Sequence, residues 1–411
     1  MLEQDAQEII KAALFSAQPD TAVAKALEDR AWISESGRVI LIAIGKAAWK
    51  MAETAVESVG DRILGGVVIT KYEHSMGDLP GVSIFEAGHP IPDANSFAAT
   101  EAAIQAVTGL SEKDRVLLLI SGGGSALFEK PLVPEAELES ITRQLLACGA
   151  DIVEINTIRK RLSAVKGGRF AKLCEPAQVY SIVLSDIIGD PLDMIASGPA
   201  YPDSSTCSDA LEIIRKYNIK TIPKTHALLS VETPKTLTNV TTTVSGSVRQ
   251  LCLSAYEKCQ ELGYEPQILT DSLNCTARDA GMFLASIARF HGESTKSKAF
   301  IAGGETVVKL TGKGKGGRNQ EIALSAAAGI DGLKDTAIFS LGSDGTDGPT
   351  DAAGGYVDDK TRRLLHEKGM SIHAYLEDND AYHALDAVNG LIKTGPTGTN
   401  VNDLSVVLIK R

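Results

Sequence analysis

Residues 116–127 read Val-Leu-Leu-Leu-Ile-Ser-Gly-Gly-Gly-Ser-Ala-Leu, and the fold turns on how this stretch is read. An apolar run that breaks abruptly into Ser121, Gly122, Gly123, Gly124 and Ser125 is the pattern of a buried parallel strand handing over to a helix. Successive glycines let backbone N–H groups approach a ligand, and the N-terminus of the next helix adds partial positive charge. Phosphate or carboxylate is therefore the natural guest. A tight connection that serves only packing has the same composition, and these residues alone leave both readings open.

The same junction recurs upstream. Residues 38–44 form a strand pattern that ends at Gly45-Lys46-Ala47-Ala48, with a helix expected through Val59. A lysine at the carboxyl end of a strand can reach a phosphate, although most lysines are solvated surface charges. Further strands are predicted at 65–70 and 82–87, followed by the proline-stiffened loop Gly88–Ser96. In it His89 is a candidate anion donor, and Asn95 or Ser96 is the expected cap of the next helix. Arg159, Lys160, Arg161, Lys166 and Arg169 cluster around Gly167-Gly168 and predict a basic patch folded against a cleft. A strand over 178–184 delivers Asp186, Asp190 and Asp193, residues that can hold Mg²⁺ or simply make turns.

Beyond a loose segment at 218–236 the alternation restarts, so domains are expected at 1–228 and 229–411. A strand at 240–244, a helix at 248–262 and a strand at 267–269 predict a compact βαβ unit. Two strands joined by Gly303-Gly304-Glu305 then lead into Gly312, Gly314 and Gly317, which formally match a dinucleotide fingerprint. With Lys313 and Lys315 inside it, the loop reads better as a mobile basic flap over phosphate, ahead of a helix over 319–328. Asp344, Asp347 and Asp351 follow a strand at 337–341 and form a candidate divalent-ion or hydroxyl-binding loop. Thr397 to Asp403 is a polar run before the last strand.

Composition narrows the classes. The chain has 411 residues, 44% of them hydrophobic and 23% charged, which is ordinary for a globular protein of two or so domains. A net charge of −11 argues against a general nucleic-acid binder. The dispersed cysteines form no metal or disulfide pattern, and no apolar stretch is long enough to span a membrane. The acidic N-terminus is unlike a signal peptide, so a cytoplasmic protein is expected.

Ile44-Gly45-Lys46-Ala47, Gly88-His89-Pro90, Ser121 to Ala126, Gly303-Gly304-Glu305-Thr306, Gly317 to Glu321, Ser343 to Gly348 and Thr397-Gly398-Thr399-Asn400, in this order, resemble the two-domain glycerate kinases, the class that includes the glycerate 2-kinases. The resemblance runs along nearly the whole chain. It implies an α/β fold of two α/β domains, a Rossmann-like three-layer N-terminal one and a smaller C-terminal one, with the active site in the cleft. It implies Mg²⁺-dependent phosphoryl transfer from ATP to D-glycerate, giving 2-phosphoglycerate, with Lys46 and Arg318 as the catalytic pair. Ser121, Gly122, Gly123, Gly124, Ser125, His89, Glu305, Asn319, Thr399 and Asn400 would bind nucleotide or substrate, and Asp186, Asp190, Asp344 and Asp347 are the metal candidates. Small molecules rather than nucleic acid or membrane are the expected partners, and a homodimer stays open. Hydroxypyruvate reductase, a label carried by relatives, and a non-catalytic anion-binding protein are the alternatives.

Overall fold

A computed structural model describes residues 2–33 and 36–411. The stretch 116–120 falls within strand β4, and the first sheet is built around it. β1 (Val39–Ile44), β2 (Ile63–Lys71), β3 (Val82–Ala87), β4 (Arg115–Ile120), β5 (Gln178–Leu184) and β6 (Val240–Gly246) take the order β3-β2-β1-β4-β5-β6. The pairs β3–β2, β2–β1, β1–β4 and β4–β5 are parallel. Alternate side chains of β1 enter two different cores. Ile40, Ile42 and Ile44 pack with Val116, Leu118 and Ile120 on one face, and Leu41 and Ala43 pack with Leu117 and Leu119 on the other. Helices cover both faces, which is why these strands read as continuous apolar runs rather than as an alternation. Strand order reverses direction between β1 and β4, the position where open α/β sheets bind ligands at the carboxyl ends of their strands.

The second sheet is mixed. β7 (Glu265–Leu273), β8 (Lys298–Gly304), β9 (Thr336–Gly342), β10 (Gly354–Asp358), β11 (Leu391–Ile392) and β12 (Asp403–Ile409) take the order β11-β10-β9-β12-β8-β7. Only β7 and β8 pair in parallel; β12 lies antiparallel between β8 and β9. The compact βαβ unit expected at 240–269 does not form, because β6 joins the first sheet while the helix Val248–Glu261 and β7 belong to the second. The strand expected after Gly-Gly-Glu is reduced to a single bridge between Thr276 and Val307.

The chain divides into one compact unit of residues 22–185 and 190–245, and another of 1–21, 186–189 and 246–411. This division does not coincide with the one expected at 228/229. The first helix, Leu2–Ser16, sends Ala6, Ile9, Ile10 and Ala13 into the core that holds Leu251, Phe339 and Val406. Its buried Asp5 is tied to the Tyr264 hydroxyl at 2.6 Å and to Lys410 at 3.0 Å. A local periodicity announces such a helix but carries nothing about which sheet its apolar stripe will cover. No helix among the described residues is long and apolar enough to cross a membrane.

Ile42 is fully buried at the centre of the first sheet. Ile42→Ala should destabilise that unit by about 2–5 kcal/mol, the cost of lost burial plus a cavity, seen as a lower denaturant midpoint. A midpoint equal to that of the unmodified protein would contradict this placement.

Candidate active site

Two constellations hold the residues singled out above, one in each unit. In the first, the turns after β1 and β4 are stitched together. The Ser121 N–H donates to Ile44 C=O and the Lys46 N–H to Gly122 C=O, both at 2.9 Å. The Ser121 hydroxyl accepts from the Ala47 N–H at 3.1 Å and is itself buried, so it locks the turns rather than facing a ligand. Gly45 has φ +118°, and a β-carbon there would lie 2.3 Å from the Ser121 hydroxyl oxygen. Gly123, at φ +86°, would place a β-carbon 3.1 Å from the His89 ring and 3.2 Å from the Lys46 chain. The turn glycines, Lys46 and His89 are therefore neighbours. Burial, with Lys46, Lys71 and His74 adding to it, lowers the basicity of His89 and favours a neutral ring.

Some expectations are corrected here. The helix after the glycines, Gly124–Leu127, is a single turn, so its dipole contributes little, and Lys46 is the cation beside the turn. The cap of the helix Ala94–Ala106 is Asp93, which accepts from the Ser96 N–H at 2.9 Å; the Ser96 hydroxyl bonds back to the Asp93 N–H. The basic segment turns inward. Lys160 meets Asp193 and Asp203 at 3.2 Å, Arg161 meets Glu232 at 3.3 Å, and Lys166 meets Glu129 at 2.7 Å. Ser125 keeps a polar role, its hydroxyl 3.0 Å from that of Ser197. Gly124 packs against Ala196, which a β-carbon at Gly124 would meet at 2.7 Å.

In the second unit Arg318 opens the helix Arg318–Gly329. Its guanidinium donates to both carboxylate oxygens of Asp403, at 2.5 and 3.0 Å, and to Glu305 at 3.1 Å. Asp403 raises the Arg318 pKa further, so the cation is permanent. The helix has no side-chain cap of its own, because Gly317 stands at the N-cap. Asp347 supplies one from the loop after β9, accepting from the Asn319 N–H at 3.2 Å and the Gln320 N–H at 2.8 Å. A β-carbon at Gly317 would collide with that carboxylate. Asn319 is buried, its side-chain oxygen accepting from the Ser340 hydroxyl at 2.6 Å. Glu305 also accepts from the Asn402 side chain at 3.4 Å. The buried Thr399 hydroxyl has no hydrogen-bond partner among the described residues, and the Asn400 side chain accepts from the Asn402 N–H at 3.5 Å.

The metal candidates separate. Both oxygens of Asp347 are engaged by the helix terminus, so its geometry is that of a cap and not of a free ligand. Asp344 accepts from Thr346 within its own turn, and the Asp186 carbonyl accepts from Asn402 at 3.3 Å. Asp190 retains a buried carboxylate oxygen without a hydrogen-bond partner among the described residues. Among the described residues no group of three His, Cys, Asp or Glu side chains is poised to hold a metal ion.

The expected mobile flap is also pinned. The N–H groups of Thr311 and Gly312 donate to the Asn379 side chain at 2.7 and 2.8 Å, that of Lys313 to Asp378 at 3.0 Å, and that of Lys315 to Asp380 at 3.0 Å. Glycines are needed there because β-carbons at 312 and 314 would strike the 378–380 segment. Asp403, paired to Arg318, is a neighbour that sequence reasoning did not single out. A nearly buried acid at the start of an apolar strand was its signal, since such a carboxylate requires a partner.

Burial lifts the Asp347 carboxyl from 3.8 to about 7, against the lowering effect of the helix N–H groups. Its folded-state value is raised, so its contribution to stability is full below 3.8 and is lost as pH rises through about 7. The melting temperature of the protein relative to Asp347→Asn should therefore fall between about pH 4 and about pH 8. A difference independent of pH would contradict this assignment.

Residues 5–230 match a family described as a domain of unknown function (DUF4147), and residues 298–403 match the MOFRL family. The chain is 49% identical to the D-glycerate 2-kinase of Thermotoga maritima, over 99% of this chain and 98% of that one. The crystal structure of a glycerate kinase from the same organism superposes with a TM-score of 0.94, covering 99% of each chain at 49% identity. The glycerate 2-kinase of Pyrococcus horikoshii is 42% identical over 91% of this chain and 88% of its own. A protein of Agrobacterium vitis, named provisionally as a hydroxypyruvate reductase, is 39% identical over 91% of this chain and 100% of its own. With full-length identity well above the level at which fold and ancestry are shared, this chain belongs to the two-domain glycerate kinase family.

Proposed function

We infer that this protein transfers the γ-phosphoryl group of ATP to the 2-hydroxyl of D-glycerate. The observation that carries the reading is Lys46, held at the switch point of the first sheet against the glycine turn that follows β4. Phosphoryl transfer asks a protein mainly for positioning and for neutralisation of charge on the transferred group. Lys46 offers a point charge beside the glycine turn, which suits phosphate oxygens. Arg318 has one edge of its guanidinium taken by Asp403 and a further N–H by Glu305, which fix its orientation in advance and leave one N–H on each terminal nitrogen for a ligand. His89, kept neutral by its surroundings, can hydrogen-bond there without adding charge.

Mg²⁺ is compatible with these residues. It commonly takes one or two carboxylates together with substrate phosphates, so a preformed cage is not required, and the unpartnered oxygen of Asp190 fits that role. When bound it would neutralise phosphate charge. The reductase alternative drew on the fingerprint at 312–317, and the amides that would cradle a pyrophosphate are engaged by Asn379, Asp378 and Asp380. That motif therefore gives the oxidoreductase reading no support.

Purified protein supplied with ATP, Mg²⁺ and D-glycerate should release ADP and phosphoglycerate. Lys46→Ala and Arg318→Ala should each lower kcat/KM by about 10²–10³-fold, with an unchanged far-ultraviolet circular dichroism spectrum. An inactive unmodified protein would defeat the reading, and a normal rate in either variant would remove that residue from the catalytic set.

A further inference from the structure

Within the basic segment 159–169, Arg159 behaves unlike its neighbours. The side chains of Lys160, Arg161 and Lys166 are at most 3% exposed and are sealed in ion pairs, whereas that of Arg159 is 17% exposed. One of its nitrogens donates to the Ser125 carbonyl at 3.0 Å and lies 3.6 Å from Glu129. Glu129 and Lys166 are both fully buried and 2.7 Å apart. The Glu129 oxygens accept no well-aligned hydrogen bond and are held by the two cations. One buried carboxylate thus faces two positive groups, leaving the cluster one charge in excess just behind the glycine turn. Burial brings Lys166 down to about 8; Glu129 opposes this and Arg159 adds to it. An anion arriving at Arg159 would complete the balance.

A second feature converges on the same spot. Ala196, Ser197 and Gly198 run through left-handed backbone with φ of +51°, +59° and +65°. The run is held by the N–H groups of Gly167 and Gly168, which donate to the carbonyls of Ser197 and Gly198 at 3.0 and 2.7 Å. Consecutive non-glycine residues in that region carry strain of the kind that marks functional positions. The consequence here is that the Ser197 hydroxyl meets that of Ser125 at 3.0 Å and donates to the Asn156 side chain at 3.2 Å. Two hydroxyls and a guanidinium are gathered at one end of the turn, while Lys46 stands at the other end beside Gly123.

The geometry points to a carboxylate subsite at Ser125, in which the guanidinium of Arg159 and the hydroxyl of Ser125 recognise the carboxylate of a short 2-hydroxy acid, while the buried Ser197 hydroxyl, its proton given to Asn156, positions Ser125. The inference rests on the kinase reading for the identity of the acid. A planar fork matches a carboxylate bidentately, and a single cation beside a neutral hydroxyl suits a monoanion better than a polyphosphate. Gly123 and Ser125 are two residues apart, at most about 7 Å, a span that a three-carbon acid can cover between its carboxylate and the phosphoryl side at Lys46. Arg159 is then a specificity-determining residue, and Glu129 with Lys166 position it.

Steady-state kinetics of the unmodified protein, Arg159→Met and Arg159→Lys, with D-glycerate and with its neutral amide as acceptors, test this. Arg159→Met should raise KM for D-glycerate by about tenfold or more, with Arg159→Lys intermediate, KM for ATP within about twofold, and the activity on the amide unchanged. A rise in KM for ATP, a fall in kcat with both KM values unchanged, or a parallel loss on the amide would overturn it. Should the methionine variant fail to fold, the lysine variant carries the same comparison. Calorimetric titration with D-glycerate separates the two ideas. Binding that depends on Arg159 without turnover would defeat the kinase reading and keep the subsite, while turnover with binding indifferent to Arg159 would do the reverse.

Discussion

The first unit depends on the crossing of two backbone turns. β1 and β4 lie side by side and parallel, and each must turn away at its carboxyl end in almost the same volume. The crossing succeeds because Gly45 adopts φ +118° where any side chain would strike Ser121, and because Ser121 is small and polar enough to bond both Ala47 and Ile44. Everything chemically useful in that unit follows from it. Lys46 leaves β1 at the crossing, Gly123 is brought against Lys46 and His89, and Ser125 is placed two residues further on, where Arg159 holds its carbonyl.

The second unit solves a related problem by different means. The helix that begins with Arg318 has N–H groups at its first turn that its own backbone cannot satisfy. A capping side chain at position 317 would collide with Asp347, so the cap is delivered from another loop by Asp347 itself. The cost of burying that carboxylate is visible in its raised pKa. In return the first turn is immobilised, and the Arg318 fork is aimed by Asp403 and Glu305. In both units a cation is fixed through the backbone from which it springs, and Arg318 is also held by partners of its own, Asp403 and Glu305.

Much of this could be read from sequence, and the boundary between legible and illegible is physical. The strand at 116–120 and its glycine turn were readable because burial on both faces demands continuous apolar residues and close crossing demands glycine. The inward turn of Lys160, Arg161 and Lys166 was not, since their partners Asp193, Asp203, Glu232 and Glu129 are tens of residues away or on other elements. The loop at 312–317 shows the same limit: its glycines are required by the 378–380 segment, not by a ligand. The allegiance of the first helix to the second sheet rests on residues far along the chain, Leu251, Phe339 and Val406 in the core and Tyr264 and Lys410 at Asp5. The expectation that Lys46 and Arg318 act as a catalytic pair came from family resemblance, since spacing alone leaves it open.

The central claim is chemical: phosphoryl transfer to the 2-hydroxyl of glycerate. Nuclear magnetic resonance of the product formed from ATP and D-glycerate tests it most directly, because the carbon to which phosphorus couples identifies the hydroxyl. The account requires phosphorus coupling to the central carbon, the signature of 2-phosphoglycerate. Coupling to the terminal carbon, as in 3-phosphoglycerate, or NADH-dependent conversion of hydroxypyruvate without phosphoryl transfer, would contradict it.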